Sequence, residues 1–257
     1  MISLIDTHVH FDSNRFDHDR DTIYQRAKAN GIDMMIVPAI SRAQWPGVTT
    51  VARNYPGVFA CYGLHPMFTR EHTTTDLTLL EEKISQNPCV AIGECGLDGS
   101  SDQAAMNQQL FYFSAQLQIA RDYNLPVIVH ARAAVEAVIL ELRKNGPDKG
   151  VVHSYNGSLQ QAHRLIDLGY YLSFGGPITY NRASKLHTLI RQLPLDRIMI
   201  ETDAPDQVGS AHYGNRNEPC YLPEVLTAVA NLRNENEVTI ARASNRNACE
   251  LFGLPDI

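Results

Sequence analysis

A pair of histidines two residues apart, His8 and His10, is followed along this 257-residue chain by Glu94, His130, His153 and Asp203. Imidazole and carboxylate donors without a thiolate suit borderline divalent ions such as Zn2+ and Mn2+, and differ from the cysteine-rich sets of structural zinc sites. Mg2+ is a third candidate, although imidazole is not its preferred ligand. Six ligands exceed the needs of one tetrahedral ion and suit two ions sharing a carboxylate, for which Glu94, lying between the two histidine pairs, is the natural bridge. Two ions about 3.5–4 Å apart lower the pKa of a shared water and polarise a phosphoryl or carbonyl oxygen, so hydrolysis is the expected chemistry. Asp203 is the candidate to orient that water and accept its proton, with Glu201 as a supporting partner or, alternatively, a buried structural acid.

The elements that must position these groups are legible as alternating patterns. Short apolar, β-rich runs recur at 4–9, 34–40, 58–63, 90–93, 126–129, 150–152, 170–174 and 198–200. Helix-like stretches lie between them, at 21–30, 76–87, 104–123, 135–144, 158–168, 183–192, 223–233 and 237–251. Eight such alternations indicate parallel strands with right-handed crossovers and favour a closed (β/α)8 TIM barrel; an open doubly wound sheet is the alternative. A period of two places Leu4, Asp6, His8 and His10 on one strand face, with Ile5 and Val9 on the other. By the same parity Ile92 pairs with Glu94, Ile128 with His130, Val151 with His153, and Met199 with Glu201 and Asp203. Each candidate ligand is thus expected to close a strand, at the end where this fold carries its active sites. Singly, any of these histidines or acids has an ordinary structural explanation; their joint placement favours a metal centre.

Composition agrees with one domain over 1–257. The chain is 44% hydrophobic and 19% charged, with no low-complexity tract or Gly/Pro/Ser-rich linker. A formal net charge of -6 argues against broad electrostatic attachment to duplex nucleic acid but leaves room for a local cationic site. The N-terminus has no basic region ahead of an apolar run, no stretch is long enough to span a membrane, and five cysteines form no C-x-x-C pair. The expectation is a cytoplasmic protein with no membrane attachment and no obligate protein partner.

The segments Asp6-Thr7-His8-Val9-His10, Gly63-Leu64-His65-Pro66, Gly93-Glu94-Cys95-Gly96-Leu97-Asp98, Val129-His130, Val152-His153 and Glu201-Thr202-Asp203-Ala204-Pro205, taken together and in this order, resemble the TatD-type deoxyribonucleases over the whole chain. The resemblance implies a TIM-barrel phosphodiesterase with two divalent metal ions, acting as a 3′ to 5′ exonuclease on single-stranded DNA ends. It assigns His8, His10 and Asp203 to one ion, His130 and His153 to the other, and Glu94 to both. His65 matches a position beside the metals where an imidazole can bond a phosphate or leaving oxygen; a loop histidine before Pro66 is its plainer reading. There are departures. Ala131-Arg132 replaces the usual Ser-Arg, Ser154-Tyr155-Asn156-Gly157 follows His153, and Asp98-Gly99-Ser100-Ser101 lacks the aromatic residues often found there, which bears on substrate stacking.

Further residues carry weaker signals. Gly175 and Gly176 can present backbone N–H groups to a phosphate, or form a tight turn. Arg132, and after it Arg182 and Arg216, can hold phosphates, or be solvated loop arginines. Asn217-Glu218-Pro219 resembles a family segment near the site, or is a turn before a helix; Tyr155 and Tyr180 can stack on bases, whereas Trp45 reads as packing. Three functions stay in view: a nuclease; a hydrolase of small esters, lactones, amides or phosphotriesters on the same centre; and a non-catalytic metal-stabilised binding protein.

Overall fold

The computed structural model describes residues 2–100 and 103–256. Eight strands form one sheet in sequence order: β1 (Leu4–Asp6), β2 (Ile32–Pro38), β3 (Val58–Tyr62), β4 (Ala91–Asp98), β5 (Val127–Arg132), β6 (Gly150–Val152), β7 (Tyr170–Phe174) and β8 (Ile198–Ile200). The helices are α1 (Arg20–Ala29), α2 (Trp45–Asn54), α3 (Thr74–Gln86), α4 (Gln103–Asp122), α5 (Val135–Asn145), α6 (Leu159–Asp167), α7 (Ser184–Gln192), α8 (Leu222–Arg233) and α9 (Glu237–Phe252). Parallel strands flanked by crossover helices are buried on both faces, which is why β6, β7 and β8 are apolar and buried throughout or nearly so.

Contacts divide the chain into two compact units. The first comprises Met1–Val37, Val51–Phe59 and Leu172–Ile257. Here β1 pairs in parallel with β2 and β7 with β8, while Thr7 N donates to Ile200 O at 3.3 Å, so the chain beyond β1 lies along β8. Helix α9 ties both strands with polar side chains inside the core. Ser244 Oγ accepts from Ile200 N, Asn245 Oδ1 from Ile5 N, and Asn247 Nδ2 donates to Ile198 O. These bonds satisfy strand groups that the short ladder leaves unmet.

The second unit comprises Pro38–Thr50 and Ala60–Tyr171, with β4 paired in parallel to β3 and to β5, and β5 to β6. Close approach of β4 to β5 needs Gly96: its φ is +137°, and a Cβ there would lie 2.1 Å from His130 O. From α4, the buried Gln116 accepts from Leu64 N at 2.7 Å and donates to Leu64 O at 3.0 Å; Gln109 likewise accepts from Asp98 N at 2.8 Å and donates to Asp98 O at 3.3 Å. One helix thus fixes the loop after β3 and the end of β4.

Three expectations need correction. Helix α2 occupies a stretch where no helix was expected; it forms because Pro46 sits in the first turn, where a missing N–H costs no helical bond. Strand β4 runs on to Asp98 with a register shift between Ile92 and Cys95, so Glu94 lies inside its strand; His130 likewise lies inside β5. Conversely, β1 stops at Asp6 and β8 at Ile200, leaving His8, His10, Glu201 and Asp203 beyond the strand ends.

Within the first unit, the loop after β8 is held to α1 by an ion-pair network. Arg216 Nη2 lies 2.6 Å from Asp19 and 2.9 Å from Glu218, Arg26 Nη2 lies 2.5 Å from Glu218, and the Arg216 guanidinium covers Phe16 at 4.8 Å. Burial alone would raise the Glu218 pKa, but the bonds from Arg216 and Arg26 outweigh it and hold the carboxyl below its ordinary value. Its stabilisation is therefore present above the unfolded glutamate pKa of about 4.3 and is lost as pH falls through the lower folded value. Glu218→Gln should cost about 1 kcal/mol at pH 7, since its partners are open to solvent, and should flatten the fall in melting temperature measured from about pH 5 to pH 3.

Candidate metal centre

In the first unit, the segments beyond β1 and β8 are joined side by side. Asp203 N donates to His8 O at 2.9 Å and His10 N to Ala204 O at 2.8 Å. Asp6, fully buried, accepts from Thr202 N at 2.9 Å, Thr202 Oγ1 at 2.5 Å and His8 N at 3.3 Å. Burial still pushes its carboxyl up to about 8. Asp203 has φ +55°, a left-handed turn that period-two reasoning does not describe. Its Oδ1 lies 3.6 Å from His8 Nε2 and 3.4 Å from His10 Nε2. These separations are long for hydrogen bonds, yet donors held at about 2.0–2.2 Å by one tetrahedral ion stand about 3.4 Å apart. Gln207 donates to the other carboxylate oxygen, Oδ2. Asp203 is therefore spaced from each histidine as two donors of one ion are. Glu201 is fully buried and accepts from Ser173 Oγ.

In the second unit, three imidazoles converge on one oxygen. Glu94 Oε1 lies 2.8 Å from His153 Nε2, 2.9 Å from His65 Nε2 and 3.1 Å from His130 Nδ1, with His130 Nδ1 3.4 Å from His153 Nε2. His65, Glu94 and His130 each offer a ligand atom within 4.8 Å of the others. His65 follows the Leu64 backbone that Gln116 clamps, and its Nδ1 accepts from Met67 N at 3.2 Å, which leaves the hydrogen on Nε2, facing Glu94. Burial lowers its pKa against the pull of Glu94, favouring that neutral donor form. Gly63 permits the adjoining backbones to touch: a Cβ there would lie 2.5 Å from Gly93 C.

Asp98, noted in the sequence only as part of a motif, fixes the tautomer of His130. Its Oδ2 lies 3.1 Å from His130 Nε2, while Oδ1 accepts from Ser100 N at 3.0 Å. The His130 bond, with help from Ser100, holds the Asp98 carboxyl far below the usual range despite burial, so it is an acceptor. His130 Nε2 must then carry a hydrogen, and Nδ1 is the nitrogen presented to Glu94 and available to an ion. Without an ion, burial opposes charge on His130, but Asp98 and Glu94 together raise its pKa. Strand parity carried part of the signal, since Gly96 and Asp98 share a parity and pair with His130 and Arg132 of β5. Gln109, Gln116 and Gln207 had no such signal, because a glutamine that binds backbone looks like any other in sequence.

The remaining candidates are distributed as follows. Arg132, exposed, has Nη1 3.9 Å from Asp98 Oδ2. Gly175 and Gly176 pack against the segment after β8: a Cβ on Gly176 would lie 2.2 Å from Gln207 O. Arg216 is engaged by Asp19 and Glu218, and Asn217 Nδ2 donates to Thr202 O at 2.8 Å. Tyr155 is buried and its hydroxyl donates to Ser158 O, while Trp45 is buried and Nε1 donates to Gly63 O. Ser101, in the loop lacking aromatics, lies outside the described residues.

A parallel sheet of eight strands in sequence order, with histidine–carboxylate clusters drawn from within the strands and from the segments beyond them, defines a metal-dependent hydrolase of TIM-barrel type. Residues 5–253 match the model of the TatD-related DNases, and the chain belongs to that family. It is 39% identical over 255 residues to the Escherichia coli K12 protein YjjV, an uncharacterized metal-dependent hydrolase, with 98% of each chain covered. The crystal structure of that TatD homologue superposes with a TM-score of 0.95, covering 99% of this chain and 100% of the other. Identity is 34% over 257 residues, 97% of each chain, to a Cronobacter turicensis protein named 3'-5' ssDNA/RNA exonuclease TatD. The closed barrel expected from the sequence, rather than the open sheet, is the fold.

If Asp98 sets the His130 tautomer, Asp98→Asn should weaken divalent-metal binding about 10- to 100-fold. Calorimetric titration of chelator-stripped protein with Zn2+ or Mn2+ measures this, and an unchanged affinity would remove the role assigned to Asp98.

Proposed function

We propose that the chain is a 3′ to 5′ exonuclease acting on single-stranded DNA or RNA ends, with a divalent ion, Zn2+, Mn2+ or Mg2+, at each histidine–carboxylate cluster. The observation that carries this reading is the ligand spacing: Asp203 stands about one tetrahedral edge from both His8 and His10 in one unit, and Glu94, His130 and His153 lie 2.8–3.4 Å from one another in the other. The name borne by relatives such as the C. turicensis enzyme supports the substrate and the direction. Bound ions would supply a nucleophilic water near neutral pH and polarise the phosphodiester.

The chain's own residues account for the rest. Asp203, with one oxygen towards His8 and His10 and the other steadied by Gln207, is the group to accept the attacking water's proton. His65 presents Nε2–H, locked by the bond at Nδ1, as a donor to a phosphate or leaving oxygen. Asp98 holds His130, and Glu201 is a buried acid behind the loop that carries Asp203. Arg132, open to solvent, is placed to meet a strand phosphate. All five cysteines are free, which supports the reading of a cytoplasmic enzyme. Among the described residues no helix is long and apolar enough to cross a membrane.

The test is an end-labelled single-stranded oligonucleotide incubated with metal-loaded protein, with and without chelator. Stepwise release of mononucleotides from the 3′ end is expected. Glu94→Gln and Asp203→Asn should each cut the rate by about 100-fold or more, on the scale of lost acid–base or metal-orienting groups. Full activity in both variants would refute the assigned centre. Turnover of small esters or phosphotriesters with none of the oligonucleotide would replace the substrate class.

A further inference from the structure

Within the first unit, the short helical turns after β7 (Gly176–Thr179) and after the end of β8 (Ser210–His212) border an open cleft of about 500 Å3. Its lining is Thr179, Tyr180, Asn181, Arg182, Ser210 and Tyr213, with no acidic side chain. Tyr213 is 74% exposed, far more than an aromatic ring needs for packing. Its ring stands edge-to-face to Tyr180, with centroids 6.4 Å apart at 84°, so one tyrosine forms a wall and the other offers an open face. The Arg182 guanidinium lies 5.7 Å over the Tyr180 ring. Among the described residues Arg182 has no carboxylate within ion-pair distance, unlike Arg216, Arg26 and Arg132.

The cleft is braced rather than loose. Ser210 N donates to Thr179 Oγ1 at 2.7 Å, Ser210 Oγ to Thr179 O at 3.0 Å, and Tyr180 OH to Val208 O at 3.1 Å. It also adjoins the candidate metal ligands along the chain, since the same segment carries Gln207, which holds Asp203. A planar face, amide and hydroxyl groups beside it and an uncommitted guanidinium are what one nucleotide of an unpaired strand requires: stacking for the base, hydrogen bonds for its edge and a cation for its phosphate.

We propose that this cleft is a nucleotide subsite that grips single-stranded nucleic acid away from the reacting bond, the base stacked on Tyr213 against the Tyr180 wall and a phosphate held by Arg182. The proposal rests on the nuclease reading and deepens it. Base stacking is sequence-tolerant, and paired bases have no free face to offer, so the subsite selects unpaired strands without reading their sequence.

The experiment measures binding apart from cleavage, using the full chain stripped of metal with chelator and a fluorescein-labelled oligo(dT) probe read by anisotropy. Tyr213→Ala should weaken binding about 5- to 100-fold, the scale of one lost base–aromatic stack, and Tyr213→Trp should restore it. Unlabelled oligo(dT) should also quench the indole that Tyr213→Trp introduces, because Trp45 is buried and contributes a constant background. Arg182→Gln should reduce the slope of log K against log salt by about 0.7, the share of one single-strand phosphate contact. A fully paired duplex should compete poorly. Tyr213 is so exposed that its truncation leaves the fold intact, and melting curves check this. Variants that bind as tightly as the unaltered chain with the same salt slope would overturn the subsite even if metal-loaded protein degrades the probe. Quenching of the introduced indole by oligo(dT), with no degradation by the metal-loaded protein, would uphold the subsite and overturn the nuclease reading. Absence of any oligonucleotide binding would overturn the subsite, and the cleavage assay would then decide the nuclease reading separately.

Discussion

The carboxylate of Glu94 governs the second unit because its oxygen is almost wholly removed from water while remaining a hydrogen-bond acceptor. A buried anion is costly unless donors surround it, and the side chains of His65, His130 and His153 supply that shell. The same contacts that make burial tolerable gather ring nitrogens around one point, and an ion taking that point displaces the protons through which they bond Glu94. An ion entering that point replaces hydrogen bonds with coordination and needs little rearrangement of the side chains, so much of the ordering entropy has been met during folding. Asp98 takes part by removing one choice from His130: with Nε2 engaged, only Nδ1 faces inward.

The first unit solves a related problem by different means. His8, His10 and Asp203 stand beyond regular strand structure, where a few backbone bonds, such as Asp203 N to His8 O, continue the pairing. Further order comes from Asp6, which binds Thr202 and the His8 N–H, and from Gln207, which restrains Asp203. Side chains take over from the sheet at the place where the chain must bend. A left-handed residue such as Asp203 persists because the bonds around it over-determine its conformation.

Much of this was legible before any coordinates. The eight apolar runs and their intervening helical periods correspond to the eight strands and to all helices but α2, since strand burial and helix amphipathicity leave periodic marks. Helix α2, with Pro46 in its first turn, is the one stretch that the pattern did not mark. The histidines and acids themselves were visible because their residue types carry chemistry. The places where period-two reasoning slipped are physical: β4 shifts register near Glu94, and the chain past β8 turns left-handed at Asp203. Least legible were the glutamines and the Tyr180–Tyr213 pairing, which depend on loops distant in sequence meeting in space.

Gln109 and Gln116 lie seven residues apart on α4, close to two full turns, and so project from nearly the same side of the helix. One grasps the chain before His65, the other the residue that orients His130. Together they make α4 a ruler whose graduation is the helical pitch. Inserting or deleting a single residue between them would turn one glutamine about 100° away from its target and displace it about 1.5 Å along the axis. Substitutions at the exposed positions of α4 leave both grips in place, whereas a change in the spacing between these two side chains does not, so the centre depends on the length of this stretch more than on most of the letters within it.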